Sequence, residues 1–328
     1  MVRKLLLRVV AVLVALIIVA VAFLFFKNQA LMSEIRSRLQ AGSKVTTTQW
    51  GDIEYAVEGH GPPVLLVHAT GGGYDQGLIL GRTWVGEGYT FIAPSRFGYL
   101  RSPVPEAPSV EKQADAFRCL LDTLRIAKVA VVAMSAGGPS AMQFAIRYPE
   151  RVVALALLSS AAYAPPGYPH SAREFPSAGW IYDLFFSSDF LFGLLATHAS
   201  PTLEEAFGQT DEIKATLQDD ERNIARDIVQ CMLPISERKA GLKLEKEFVD
   251  NLTEYDLQKI TAPTLVFSAR DDKVAPYGWG EYTASRINGA RYLLYDRGGH
   301  MLLGNRKKIA AAIDSLFAAT LGKASLER

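Results

Sequence analysis

Short apolar runs separated by helical patterns constrain this chain more than any other feature. Val64–Val67 is wholly apolar and β-branched at its ends, as suits a strand covered on both faces. Comparable runs occur at Tyr89–Ala93, Val129–Ala133, Val152–Leu158, Thr264–Phe267 and Arg291–Leu294. Trp50–Val57 reads as a further strand, closed by a turn at Gly59, Gly61, Pro62 and Pro63. Between the runs lie helical patterns such as Gln113–Leu124, where Ala116, Leu120 and Leu124 share one face. Strands alternating with helices predict an α/β fold, with a mostly parallel central sheet and helices on both faces.

One interval breaks the alternation. About a hundred residues separate the strand ending near Ser160 from the one at Thr264, and their pattern is mostly helical. The interval opens on Pro165, Pro166 and Pro169 and carries Trp180, Tyr182, Phe185 and Phe186. A loop of that length without structure is implausible in a compact domain, so an inserted helical cap is expected.

The N-terminus stands apart. Val9–Phe26 contains no Gly, Pro or charge, and at about 1.5 Å per residue a helix of that length reaches across a bilayer core. The run exceeds a secretory signal's apolar stretch and lacks a small-residue cleavage site after Phe26, so an uncleaved transmembrane helix is expected. Arg3, Lys4 and Arg8 precede it, while Lys27, Arg36, Arg38 and Lys44 follow. These charges barely discriminate a side, and the folded domain is expected on the extracytoplasmic one. Leu31, Ile35 and Leu39 then form one apolar stripe, read as a spacer helix packed on the domain. The expected division is an anchor over 1–27, a linker helix over 28–45, a core over 46–161 and 259–328, and the cap over 162–258.

Composition excludes several classes. Lys plus Arg number 35 against 34 Asp plus Glu, which offers no basic surplus for nucleic acid. Cys119 and Cys231 lie far apart in no metal-like spacing, and the histidines His60, His68, His170, His198 and His300 form no ligand cluster. Neither a metal, another cofactor nor a disulfide is expected. Asn251-Leu252-Thr253 matches a glycosylation sequon, a weak signal in isolation.

Ala133-Met134-Ser135-Ala136-Gly137 follows an apolar strand and opens a helix through Met142, Ala145 and Tyr148. That is the setting of a nucleophile elbow, a sharp turn that lifts a serine hydroxyl above the sheet. Small residues are needed two before and two after, because the backbones pass closely.

From about Thr46 onward the chain resembles the α/β-hydrolase fold family of serine hydrolases. The features appear in order: His68-Ala69-Thr70-Gly71-Gly72-Gly73, Pro94-Ser95-Arg96-Phe97-Gly98-Tyr99 with Ser102, the Ser135 elbow, Ala269–Pro276, and Gly298-Gly299-His300. Ala133 stands where the family usually has glycine. The resemblance implies a triad of Ser135 as nucleophile, His300 as base and an aspartate after the Thr264 strand. Asp271 and Asp272 are both candidates, and Asp272 stands four before Pro276, the family's usual relation. Asp271 would then cap the turn or stay solvated. The backbone N–H groups of Thr70 and Ala136 would form the oxyanion hole, with His68 bracing its loop.

The implied activity is hydrolysis of a carboxylic ester, thioester or lactone through a Ser135 acyl-enzyme. A carbon–carbon bond hydrolase or acyltransferase could use the same triad, and an inactive binding module is the alternative of a different class. The expected partners are a small acyl substrate, of lipophilic kind if the anchor bears on it, and the membrane holding the N-terminal helix.

Overall fold

The computed structural model describes residues 2–168, 184, 186–206 and 208–324. Its centre is an eight-stranded sheet in the order β1-β2-β4-β3-β5-β6-β7-β8. The strands are β1 Lys44–Thr48, β2 Gly51–Gly59, β3 Pro63–Val67, β4 Thr90–Pro94, β5 Val129–Met134, β6 Val152–Leu158, β7 Thr264–Ala269 and β8 Arg291–Tyr295. The β1–β2 and β2–β4 pairs are antiparallel. The other pairs are parallel.

The central strands are buried on both faces because side chains alternate across the sheet and each set meets its own helices. Ala130, Val132 and Met134 of β5 face one cluster with Val64, Leu66, Ala156 and Phe267. That side is covered by α2 (Tyr74–Trp84) and by the final helix, Arg306–Ala324. Val129, Val131 and Ala133 face the opposite cluster with Leu65, Val67, Leu155 and Val266. There α3 (Val110–Thr123) and α4 (Gly138–Arg147) close the core. Each fully buried Leu, Val or Ile contributes about 1.5–3 kcal/mol relative to exposure.

Between β6 and β7 the chain forms α5 (Asp189–His198), α6 (Ser200–Ala206), α7 (Asp211–Lys214), α8 (Asp219–Gln230) and α9 (Lys239–Asp250). No strand of the main sheet comes from this interval among the described residues. Trp180, Tyr182, Phe185, Pro169 and His170 lie outside the described residues, whereas Phe186 packs on Phe192 at 5.2 Å. Two elements complete the chain, α10 (Tyr277–Arg286) after β7 and α11 (Arg306–Ala324) after β8.

The residues on either side of the boundary expected at 27 form one continuous 40-residue helix, α1 (Val2–Ala41). What changes is burial. Phe26 and most residues before it are exposed, whereas Asn28, Met32, Ile35 and Leu39 are buried at helical spacing. This second half docks on the inserted segment, where Arg36 reaches Asp189 of α5 at 2.6 Å and Glu237 at 2.7 Å; just before it, half-exposed Phe25 meets Phe190 edge-on at 5.5 Å. The expected start of the core at residue 46 falls inside β1, a strand the sequence reading did not anticipate.

Candidate active site

β5 delivers Ser135 to the end of the sheet, where the backbone turns sharply through a short 3-10 turn, Ser135–Gly137, into α4. Ser135 has φ of 51°, left-handed backbone that costs a non-glycine residue on the order of 1–3 kcal/mol. The turn is held from outside by the Ala161 amide, which donates to the Ser135 carbonyl at 2.9 Å. The need for a small residue at position 137 has a plain cause. A Cβ there would stand 2.6 Å from the carbonyl oxygens of both Val67 and His68.

Asp272 and His300 converge on this serine. His300 Nε2 lies 2.8 Å from Ser135 Oγ, and its Nδ1 lies 2.9 Å from Asp272 Oδ2. All three side chains are buried. With a carboxylate oxygen accepting from Nδ1, that nitrogen carries the ring proton, and Nε2 is free to accept the serine hydroxyl. Asp272 is itself fixed, since Oδ1 accepts the amides of Val274 at 2.8 Å and Ala275 at 2.9 Å.

The loop bearing His300 is shaped by two glycines and one unanticipated carboxylate. Gly299 has φ of 56°, and a Cβ on it would stand 2.4 Å from the Gly208 carbonyl of the inserted segment. Asp271, expected to cap its own turn or remain in solvent, instead accepts the Gly298 and Gly299 amides at 3.2 and 2.9 Å. The adjacent aspartates therefore hold two sides of one histidine.

Facing the elbow is the loop after β3. Thr70 and Ser135 line the same cleft. The Ala136 N–H belongs to the first turn of the elbow helix, where no intrahelical acceptor exists. His68 does brace the loop. Its Nε2 accepts the Arg96 amide at 2.9 Å, so the neutral ring has its proton on Nδ1 and donates to the Ala69 carbonyl at 2.8 Å. Burial, and then the Arg96 charge, push the His68 pKa well below the usual imidazole value. Gln76 adds a further hold, its Oε1 accepting the Ala69 amide at 2.8 Å. Arg238, fully buried, donates to the Gly72 carbonyl at 2.6 Å and pairs with Asp75 at 2.8 Å. Arg96, Gln76 and Arg238 were not singled out as site residues in the sequence, although Arg96 lies in the noted Pro94–Tyr99 loop.

The family model described as alpha/beta hydrolase fold matches residues 62–306. The chain belongs to the α/β-hydrolase fold family. The uncharacterized hydrolase YcgS of Bacillus subtilis is 30% identical over 271 residues, spanning 78% of this chain and 90% of that protein. A 2-hydroxy-6-oxononadienedioate/2-hydroxy-6-oxononatrienedioate hydrolase of Cupriavidus pinatubonensis is 27% identical, spanning 82% of this chain and 93% of its own. Among solved structures, a bacterial membrane phospholipase A superposes with a TM-score of 0.63 at 22% identity, covering 95% of this chain and 98% of its own. That last likeness is one of fold.

In the hydrolase a cleft lies above Ser135, with about 570 Å³ of space that includes open solvent. Ile79, Leu80 and Trp84 of α2 form one wall, and Ile228 and Met232 of the inserted segment another. Gln76, Thr70, Ser135 and His300 supply polar groups, and among the described residues no Lys or Arg lines it. Among the described residues, no three His, Cys, Asp or Glu side chains group as metal ligands, and Cys119 and Cys231 are free thiols.

Proposed function

We propose that this α/β hydrolase cleaves carboxylic esters, thioesters or lactones with an apolar acyl part, through an acyl-enzyme on Ser135. The observation that carries the reading is the unbroken relay from Asp272 Oδ2 to His300 Nδ1 at 2.9 Å and from Nε2 to Ser135 Oγ at 2.8 Å. Ser135 Oγ attacks the acyl carbon as His300 takes its proton, and the carbonyl oxygen becomes an oxyanion facing the Thr70 and Ala136 N–H groups. Collapse expels the alcohol or thiol, which His300 protonates. Water then repeats the sequence to release the acid and free the serine.

A carbon–carbon bond hydrolase is the second reading, favoured by the named activity of the Cupriavidus relative. The cleft argues against carrying that relative's dicarboxylate substrate across. A dianion would have to give up water in a space that, among the described residues, is lined by no Lys or Arg, which is costly without a partner. The apolar walls suit an uncharged acyl chain.

The 39-residue helical stretch Arg3–Ala41 is long and apolar enough to cross a membrane, and its most apolar part is not buried, which supports a membrane anchor over 1–27. Residues 28–45 are then the docked continuation, and 162–258 the lid of a core formed by 46–161 and 259–328.

The test is fluorophosphonate labelling followed by peptide mapping, with an ester panel of graded chain length. An adduct on Ser135 and turnover abolished in Ser135→Ala are expected. An adduct elsewhere, or turnover of carbon–carbon substrates but not esters, overturns the reading.

A further inference from the structure

We propose that Arg96 is the positioning residue of the oxyanion hole, and that the inserted helical segment sets it through Glu245. The proposal rests on the Ser135 acyl-enzyme reading. The Arg96 guanidinium is buried beneath the two loops that meet at the nucleophile. Nη2 donates to the Ala69 carbonyl and Nη1 to the Ala136 carbonyl, each at 3.2 Å. Nη2 also meets the Glu245 carboxylate of α9. One planar fork thus ties together both loops expected to donate to the oxyanion.

The consequence follows from peptide geometry. The Ala69 carbonyl and the Thr70 N–H belong to one rigid plane and point in opposite directions. Fixing the oxygen therefore fixes the direction in which the N–H points. That oxygen accepts from a cation as well as from His68 Nδ1, which polarises the peptide and strengthens its N–H as a donor. On the other loop, the Ala136 carbonyl follows the Ser135–Ala136 peptide whose N–H is the second donor. Arg96 also positions the brace itself, since its own amide donates to His68 Nε2 at 2.9 Å.

Glu245 holds the fork from the far side. It accepts the Tyr99 hydroxyl at 2.8 Å, and burial with the nearby Glu245 charge raises the Tyr99 pKa well above its usual value, so Tyr99 stays a neutral donor. Buried ion pairs add little net stability compared with apolar packing, so stability alone gives this one little reason to exist. A role in orienting the donors accounts for its place.

The test uses full-length protein in detergent with a short-chain p-nitrophenyl ester and a trifluoromethyl ketone, whose serine adduct carries an oxyanion. Arg96→Lys keeps the charge but loses the fork. Its kcat is expected to fall about 10- to 100-fold, less than or equal to the loss of one oxyanion donor, with KM within about threefold. The ketone's inhibition constant should rise by the same factor as kcat/KM falls, a coupling that a merely structural defect does not produce. Glu245→Gln, nearly equal in volume, should show a smaller loss of the same kind. If wild type is turned over and labelled on Ser135 while Arg96→Lys keeps its kcat and ketone affinity, the positioning assignment is wrong. If wild type itself is not labelled on Ser135, the underlying reading has failed instead. Should Arg96→Lys not fold, an unchanged kcat in Glu245→Gln overturns the proposal by itself.

Discussion

Asp271 and Gly299 are joined by a hydrogen bond of 2.9 Å between a carboxylate oxygen and a backbone amide, one residue before the histidine of the site. The neighbouring Asp272 holds the imidazole of the same histidine. Two consecutive acids thus act on one residue from different sides, one on its loop and the other on its ring.

The division predicts unequal losses. Asp272→Asn should keep the fold and cost about ten-thousandfold in kcat, since an amide facing Nδ1 selects the wrong tautomer. Asp271→Asn retains one acceptor but turns an NH2 toward a backbone N–H. A lost hydrogen bond of about 1 kcal/mol would slow turnover roughly five- to tenfold if all of it is felt in the transition state. Paired pH–rate profiles decide the matter. A crippled Asp271→Asn beside a nearly normal Asp272→Asn would reverse the assignment.

The elbow makes a steric prediction. Gly137→Ala places a Cβ 2.6 Å from two backbone oxygens, neither of which can swing away as a side chain would. The loop bearing Thr70 must move, so activity should fall by at least tenfold and stability by about 1–3 kcal/mol. Gly289→Ala is the contrast. Its φ of 74° is unfavourable for alanine but no atom lies within 4 Å, so stability should fall while kcat stays unchanged. Denaturant melts and initial rates on both variants separate strain from displacement, and a fully active Gly137→Ala would refute the close approach.

A pH effect follows from His68. Its folded-state pKa lies well below 6.5 because burial and Arg96 disfavour the charged ring. Below about pH 6.5 the unfolded chain therefore binds a proton that the folded chain refuses. Stability should decline as pH falls through 6.5 toward the folded pKa, by at most about 1.4 kcal/mol per pH unit from this group, and level off above 7. His68→Asn should be less stable at pH 7.5 yet show a flatter decline between pH 6.5 and 5. Urea titrations across that range give the two slopes, and parallel slopes would remove His68 as the cause.

The parts legible in sequence were those coded by contiguous residues. The Ser135 pentad and the Gly298–His300 run each announce a turn with a side chain to present, while Asp272 was singled out by the resemblance to the family through its relation to Pro276. The burial of β5 and β6 shows as unbroken apolar runs. α2 did not show, because Gly77 and Gly81 lower its helical propensity. Their reason lies in the sheet, since a Cβ on Gly77 would meet Ala93 at 2.9 Å and one on Gly81 would meet Leu66 at 2.6 Å. β1 was hidden in the same way, a short, mostly exposed edge strand with three threonines. The Arg96–Glu245 contact joins positions 149 residues apart, and no local pattern encodes such a pair.

The docked half of α1 separates two truncations that composition alone would treat alike. Removing residues 1–26 takes away only the stretch whose apolar side chains are largely exposed, and leaves Asn28, Met32, Ile35, Leu39 and the Arg36–Asp189 pair in place. That protein should be soluble and retain wild-type kcat on a soluble ester. Removing residues 1–42 uncovers Tyr74 of α2 and the facing side of α5, which share one cluster with these side chains. The three apolar residues alone represent roughly 5–9 kcal/mol of burial as an upper bound, comparable to the whole stability of many domains. The Tyr74 hydroxyl also loses its acceptor, the Leu39 carbonyl at 2.8 Å. The longer truncation should therefore aggregate or melt far below the shorter one, by calorimetry and gel filtration in the same buffer. If both truncations are equally stable, the second half of α1 is a tether rather than part of the core. If the shorter one folds but has lost activity on soluble esters, the exposed stretch does more than locate the enzyme.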